Sequence, residues 1–296
     1  MHKPVLLHEV VEGLDIKDGD TVLDATVGSG GHSFEICSSY KDINLVAFDA
    51  DSEAIERSQK KLDNSSCQNI LFSVSHFNET EKSLNDLSIE YLDRAMLDLG
   101  LNSEQLEASG RGFSFQKDEP LLMTFGKSAK DDLTAKDVVN DWSEDSIEAI
   151  LSGYGEERFA KRIAKGIVLR RELKPIEKVF ELVEIINENT PTWYHHRRIH
   201  QATKTFQAIR MATNDEIESL RKILDVVYRK LRVGGRIAVI SFHSIEDRLV
   251  KRYFRSLAVE GNVLIIKPFP IVPSITEIKE NSRARSAKLR IIEKIK

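Results

Sequence analysis

Between Val22 and Ser33 the chain runs Val-Leu-Asp-Ala-Thr-Val-Gly-Ser-Gly-Gly-His-Ser, an apolar stretch leading into an acid, a glycine loop and a helix start. Glycine lets the backbone turn sharply and approach a ligand, because it carries no Cβ. Placed after a first strand and opening a first helix, such a loop aims backbone N–H groups and the positive end of the helix dipole at an anionic or electron-rich group. α/β folds hold nucleotide-like cofactors in this way. Asp49 follows 25 residues after Asp24, at the end of a second apolar run, where a carboxylate accepts two hydrogen bonds from a ribose diol. For its neighbour Asp51, helix capping or a surface charge is the preferred reading. Phe77, in His76-Phe77-Asn78, is an aromatic able to stack on a base. Asp98, in Leu97-Asp98-Leu99-Gly100, closes another apolar run and so falls in the crevice where α/β sheets bind ligands.

These residues bear on which cofactor is bound. The dinucleotide fingerprint needs a third glycine where this chain has Ser33, which weakens a nicotinamide reading. A ribose-binding acid serves both nicotinamide enzymes and S-adenosylmethionine (SAM) enzymes. Phe77 at an adenine position and Asp98 at the acceptor-binding position of amino-group methyltransferases favour SAM, with a nicotinamide dehydrogenase as the alternative.

Positioning them requires alternating strands and helices. The pattern predicts strands over 21–24, 44–49, 70–75 and 94–99, and helices from 33 to 39 and from 52 to 62, the latter with Ser52 as N-cap. That alternation argues for a parallel sheet covered by helices. From 107 to 198 the rhythm changes to helical spacing without a strong strand, with helices expected over 141–153, 156–171 and 175–187. We therefore expect an α/β class I SAM-methyltransferase (Rossmann-like) sheet, formed by 1–106 and 199–296, with an inserted helical substrate-recognition subdomain over 107–198. Sheet signals resume at 234–241 after a helix over 215–231. A helix near 246–257 follows, and strands near 263–267 and 288–292 suit a closing antiparallel hairpin.

The net charge of −4 conceals an asymmetry. Residues 1–150 hold 30 acids and 13 Lys/Arg, whereas 151–296 hold 17 acids and 30 Lys/Arg. The excess is clustered at 158–171, 197–210, 248–255 and 283–290, which suits a polyanionic partner. The sequence has no apolar run long enough to span a bilayer and no signal peptide at its start. Its two cysteines, Cys37 and Cys67, read as buried small hydrophobes of a cytoplasmic protein, without a disulfide.

Several blocks together resemble one family. They include His2-Lys3-Pro4-Val5-Leu6-Leu7-His8-Glu9, the Asp24–Ser33 loop, Arg111-Gly112-Phe113-Ser114-Phe115 and Tyr154-Gly155-Glu156-Glu157-Arg158. Thr205-Phe206-Gln207-Ala208, Ser241-Phe242-His243-Ser244, Glu246-Asp247-Arg248 and Arg283-Ala284-Arg285-Ser286-Ala287-Lys288-Leu289-Arg290 complete the set. The chain resembles the RsmH (MraW) family of bacterial methyltransferases, which use SAM to modify a cytidine N4 of 16S ribosomal RNA. The resemblance implies SAM contacts at Gly30, Gly31, His32, Asp49, Phe77, Asp98 and Gln105. Asp98 and, beside it, Ser103 are the candidates for accepting the N–H bonds of the methylated amine. The implied partner is 16S rRNA within the small ribosomal subunit or its precursor, with no membrane partner, no metal and a homodimer left open. Asn102 stands where the family usually has serine, and Gln201 where it has proline. Arg111, Arg210, His243 and the 283–290 segment are candidates for phosphate or base contacts. Trp142 is a candidate stacking partner for an unstacked cytosine, with a core tryptophan the preferred reading. His195, His196 and His200, lacking cysteine partners or acid spacing, read as RNA-facing or structural.

Overall fold

The computed structural model describes residues 3–126 and 133–296. It divides into two compact units, one made of 1–100 and 217–296 and the other of 101–216.

The first unit is built on a seven-stranded sheet. Its strands are β1 (Thr21–Asp24), β2 (Asn44–Asp49), β3 (Asn69–Val74), β4 (Leu92–Asp98), β5 (Leu231–Ser241), β6 (Val263–Ile265) and β7 (Lys288–Lys294). They lie in the order β3-β2-β1-β4-β5-β7-β6. The first five pair in parallel, and β7 runs antiparallel between β5 and β6. The central strands are apolar on both faces because helices cover both. On one face Val22, Leu45, Ala47, Met96 and Ile240 meet the helices Leu7–Leu14, Gly31–Ser39 and Ser52–Leu62. On the other, Leu23, Val46, Phe48, Leu97 and Val239 meet the helices Glu216–Lys230 and Ser244–Val259.

Register places the acids. Asp24 pairs with Ala47 on β2 and Met96 on β4. In-register residues of parallel strands share a face, and residues two apart along a strand share it again. Asp49 lies two beyond Ala47 and Asp98 two beyond Met96, so all three carboxylates leave the same face at the carboxyl ends of adjacent strands.

The second unit packs the helices Ala135–Asp141, Glu144–Gly153, Ala160–Leu173, Val179–Asn189 and Thr203–Thr213 around a third core, with Leu121, Ile147, Ile163, Ile167, Leu182 and Ile209 fully buried. Among its described residues the one β-type pairing is an isolated bridge between Pro120 and Lys178.

Two expectations need correction. The helix expected over 141–153 begins at Glu144 instead, because Asp141 ends the preceding helix, Trp142 and Ser143 are extended, and the Ser143 hydroxyl accepts from the Ser146 N–H as a fresh N-cap. Local capping outweighs a continuous apolar stripe there. The cysteines are also not free: Cys37 and Cys67 form a disulfide, with Cα atoms 5.1 Å apart. Cys37 is buried as expected. The separation of 30 residues is about one strand–helix–strand repeat, and winding that repeat brings the end of the Gly31–Ser39 helix beside the segment entering β3. A count of cysteines carries no such geometry.

Candidate active site

β1 and β2 end in the same local device. Asp24 Oδ1 accepts from the Thr26 N–H at 3.1 Å, and Asp49 Oδ1 accepts from the Asp51 N–H at 2.9 Å. These are Asx turns, in which the side chain stands in for a backbone acceptor two residues before the donor. The other oxygens reach further. Asp24 Oδ2 accepts from the Ser33 hydroxyl at 2.6 Å, which ties β1 to the helix after the loop. Asp49 Oδ2 accepts from the Gly28 N–H at 2.9 Å and so fixes the loop itself. Asp51 then caps the Ser52–Leu62 helix by accepting from the Glu53 N–H, so the cap falls one residue before the expected Ser52.

The loop requires its glycines at two positions. Gly30 has φ +72°, in the left-handed region, where a Cβ costs roughly 1–2 kcal/mol. At Gly31 a Cβ would stand 2.3 Å from Pro4 Cγ, so the N-terminal segment can lie against the loop only if residue 31 is glycine. That segment also orients His32. The Nε2 of this buried ring is 3.0 Å from the Val5 carbonyl, which can only accept, so Nε2 carries the proton and Nδ1 faces Asp98 Oδ2 at 3.9 Å.

Asp98 is the anomaly of the set. Its backbone N–H donates to the Thr26 hydroxyl at 2.6 Å, yet its Oδ1 is buried without a hydrogen-bond partner. Buried polar atoms are nearly always satisfied, and an orphan calls for a reason. Burial, reinforced by the Asp24 and then the Glu246 carboxylates, pushes the Asp98 carboxyl up to about 8. Burial likewise raises Asp24 and Asp49 to about 6 each, against the pull of their hydrogen-bond donors. Three acids on one face thus resist ionisation until something positive joins them. Phe77 follows β3 in a short 3₁₀ turn, with its ring partly buried against the second core.

Gln105 and Ser103 belong to the second unit. Gln105 is buried and shares a capping box with Asn102. Asn102 Oδ1 accepts from the Gln105 N–H at 2.8 Å, and Gln105 Oε1 accepts from the Asn102 N–H at 3.1 Å. Asparagine for serine at 102 therefore preserves the N-cap, since the two cap equally well. Ser103 opens the helix Ser103–Glu107; its side chain lies outside the described residues, as does His2 of the N-terminal block.

Several candidate RNA contacts are occupied by structural work. Arg111 donates to the carbonyls of Thr124, Phe125 and Gly126. Arg210 forms a two-pronged pair with Glu216 at 2.7 and 2.8 Å. His243 caps the Ser244–Val259 helix. Arg290 is buried, donating to Asp247 at 2.8 Å and lying 4.3 Å from the Phe269 ring centre. Trp142 packs against the third core. His195 pairs with the Thr190 hydroxyl, and His200 stacks on Phe115. Lys288 pairs with the same Asp247 at 3.1 Å. With Arg285, Phe242 and His243 it lines a cleft of about 460 Å³ just beyond the carboxyl end of β5.

Sequence reasoning missed the supporting residues: Thr26 and Ser33, which hold Asp98 and Asp24, and Pro4 with Val5, which hold Gly31 and His32. Thr26 had a signal, because a threonine two residues after an acid is the Asx-turn spacing. Pro4 and Val5 had none beyond the shared N-terminal block.

A parallel sheet closed by an antiparallel hairpin, with a glycine loop after β1 and acids ending β2 and β4, defines a class I SAM-dependent methyltransferase. The chain belongs to the MraW methylase family, whose sequence profile matches residues 1–295. It is 42% identical over 296 residues to the ribosomal RNA small subunit methyltransferase H of Dictyoglomus thermophilum, covering 99% of this chain and 97% of that protein. It is 44% identical over 295 residues to the protein of the same name from Thermosipho africanus, covering 99% and 98%. A rRNA methylase structure from Streptococcus thermophilus aligns over 100% of this chain and 99% of its own, with a TM-score of 0.46 and 13% identity. The residues present fit SAM on physical grounds. The cofactor carries a sulfonium and an ammonium, and the site offers raised carboxyls with one unsatisfied oxygen.

Proposed function

We propose that this chain methylates the exocyclic N4 of a cytidine in 16S rRNA, within the small ribosomal subunit or its precursor, in the cytoplasm. The observation that carries the reading is the buried, unpartnered Oδ1 of Asp98 at the carboxyl end of β4. The small-subunit rRNA substrate is supported by the names of the two relatives above. No helix among the described residues is long and apolar enough to cross a membrane.

In this reading Gly30 and Gly31 bring backbone against the cofactor, Asp49 accepts from its ribose and Phe77 stacks on its adenine. His32 and Gln105 complete the contacts. SAM, when bound, supplies a methyl group on a sulfonium, a leaving group that needs no acid. What the protein must supply is help for a poor nucleophile. The N4 lone pair of cytosine is delocalised into the ring, and a carboxylate accepting an N4–H bond favours a pyramidal nitrogen with its lone pair freed. Asp98 Oδ1 has that capacity unused, and the turn from Asp98 to Ser103 adds carbonyls and the Ser103 hydroxyl as further acceptors. Holding acceptor and donor aligned supplies much of the remaining rate enhancement. The target base must leave its stack to reach the site.

The test offers labelled SAM to small subunits, free rRNA and DNA, and maps the rRNA of cells lacking the chain by mass spectrometry. Label at cytidine N4 in 16S rRNA, absent from that position in the deletion strain, is expected. Label entering DNA alone refutes the reading.

A further inference from the structure

One face of the helical unit carries cations that no acid neutralises. Other basic residues of the unit are paired with acids: Arg170 with Glu184 and Glu188 at 2.8 Å each, Lys174 with Glu181 at 2.8 Å, and Lys136 with Glu177 at 2.9 Å. Arg158, Lys161, Arg162 and Lys165 are all exposed, and among the described residues none has a carboxylate within ion-pair distance. Lys161, Arg162 and Lys165 share one face of the Ala160–Leu173 helix by their spacing.

An aromatic cluster borders these cations. Phe159, Trp193 and Tyr194 meet edge to face, with ring centres 5.0 to 5.9 Å apart. Tyr194 is buried, its hydroxyl donating to Glu157 at 2.8 Å, so the cluster has a fixed base. Trp193 above it is 52% exposed. The Arg158 guanidinium lies 5.6 Å from the Trp193 ring centre and 5.8 Å from that of Phe159, and Arg162 lies 5.8 Å from Phe159. An indole half in water, resting on buried Tyr194 and half-buried Phe159 with the Arg158 guanidinium beside it, contributes little to the core and offers a flat surface to a partner.

We propose that Trp193, with Arg158, Lys161, Arg162 and Lys165, forms a docking surface for an unpaired segment of the RNA substrate. One base stacks on the indole while the cations receive the flanking phosphates. Bases present their π-faces only where they are unpaired; a double helix hides them. The proposal rests on the reading of RNA as substrate and adds where that RNA is held. Trp142, the stacking candidate for which a core role was the preferred reading, packs against the core. Trp193 carried the missed signal of an aromatic beside the basic pair Arg197-Arg198.

The experiment uses the full chain and an unstructured RNA of about twelve nucleotides, within the range of single-strand site sizes. The chain has two tryptophans, so Trp142→Phe leaves Trp193 as the sole indole reporter. If that variant does not fold, the wild-type signal less that of Trp193→Ala reports the same residue. RNA is expected to quench the Trp193 fluorescence. Trp193→Ala is expected to weaken RNA binding about tenfold and leave SAM affinity unchanged, with Trp193→Phe recovering most of the loss. Lys161→Glu with Lys165→Glu is expected to flatten the slope of log affinity against log salt by about 1.4. Unchanged RNA affinity and salt slope in these variants, with the wild type still methylating rRNA, overturn the surface alone. Quenching and the variant losses without rRNA methylation by the wild type refute the enzymatic reading and leave the surface standing. Loss of binding to phosphatidylserine vesicles in Trp193→Ala, with RNA affinity unchanged, assigns the patch to a lipid and overturns the proposal.

Discussion

Asp24 is buried, and Asp49 and Asp98 are half-buried, at the ends of β1, β2 and β4, whereas Arg158, Lys161, Arg162 and Lys165 are cations left in water. Among the described residues no ion pair neutralises either group, yet the cost differs. An unpaired surface cation keeps its hydration and costs almost nothing to hold ready. A buried acid cannot ionise cheaply, so the fold supports it with N–H and hydroxyl donors from Thr26, Ser33, Gly28 and Asp51 and leaves one oxygen of Asp98 unsatisfied. The first arrangement suits a large polyanion met anew at each turnover, through many weak, salt-screened contacts. The second suits a small cation that must sit in one orientation.

The sharpest break of this comparison is Asp98→Ala. If the unsatisfied oxygen serves both cofactor and acceptor, methyl transfer falls by about a thousandfold or more, in the range of a lost electrostatic contact to reacting groups. Calorimetry with SAM and transfer of label to rRNA measure the two roles separately. Full transfer activity in this variant refutes the role given to Asp98.

Next in size is a pH dependence with opposite signs for binding and stability. With its carboxyl raised to about 8, Asp98 carries a proton at neutral pH in the free chain. A cationic ligand favours the carboxylate and expels that proton. SAM affinity therefore rises by up to about tenfold per pH unit on approaching 8 and levels off above it. Stability runs the other way. The folded state keeps a proton that the unfolded aspartate, near its ordinary 3.8, has already lost, so stability falls as pH rises from about 4 to about 8. Asp98→Asn removes the penalty. Its unfolding free energy is expected to exceed that of the wild type by about 1–3 kcal/mol at pH 8 and to converge with it near pH 4. Denaturant titrations at the two pH values, and proton release during SAM calorimetry, check both signs.

Asp49→Asn is expected to do less. An amide still offers one acceptor oxygen, but its NH₂ faces either the Gly28 or the Asp51 N–H, which now hold the two carboxylate oxygens. One hydrogen bond to the loop is lost and a donor–donor clash takes its place. SAM affinity should fall about 10–100-fold, with the melting temperature little changed.

The sheet was legible because its signals are local and repeated. Apolar runs ending in acids placed β1 and β2 at their observed bounds, and β4 and β5 within three residues. β3 was shifted by one residue, as suits an edge strand exposed along much of its length, where burial does not enforce register. Asp49 and Asp98 could be read from position alone, since a strand's carboxyl end is where such sheets bind ligands. The disulfide and the supports from Pro4 and Val5 depend on contacts between segments far apart in sequence, which periodicity cannot register. The basic clusters were visible as charge, but their partition was not. Arg111, Arg210 and Arg290 satisfy carbonyls and carboxylates inside the fold, and only packing distinguishes such a cation from one facing water.

That distinction gives the smallest expected effect and the finest test of the comparison. Arg170 lies on the same helix as Lys161 and Lys165 and carries the same charge, but Glu184 and Glu188 hold it. Those pairs are largely exposed on the acid side, and such bridges contribute about 0–1 kcal/mol. Arg170→Ala should therefore shift stability by at most about 1 kcal/mol and leave the salt slope of RNA binding where it was, because its charge is already matched by its own neighbours. Lys165→Ala, one helical turn and a residue earlier, should leave stability unchanged and reduce the slope by about 0.7. If the two substitutions changed the slope equally, net charge rather than unpaired charge would set RNA affinity, and the contrast between paired and unpaired faces of the helical unit would lose its functional meaning.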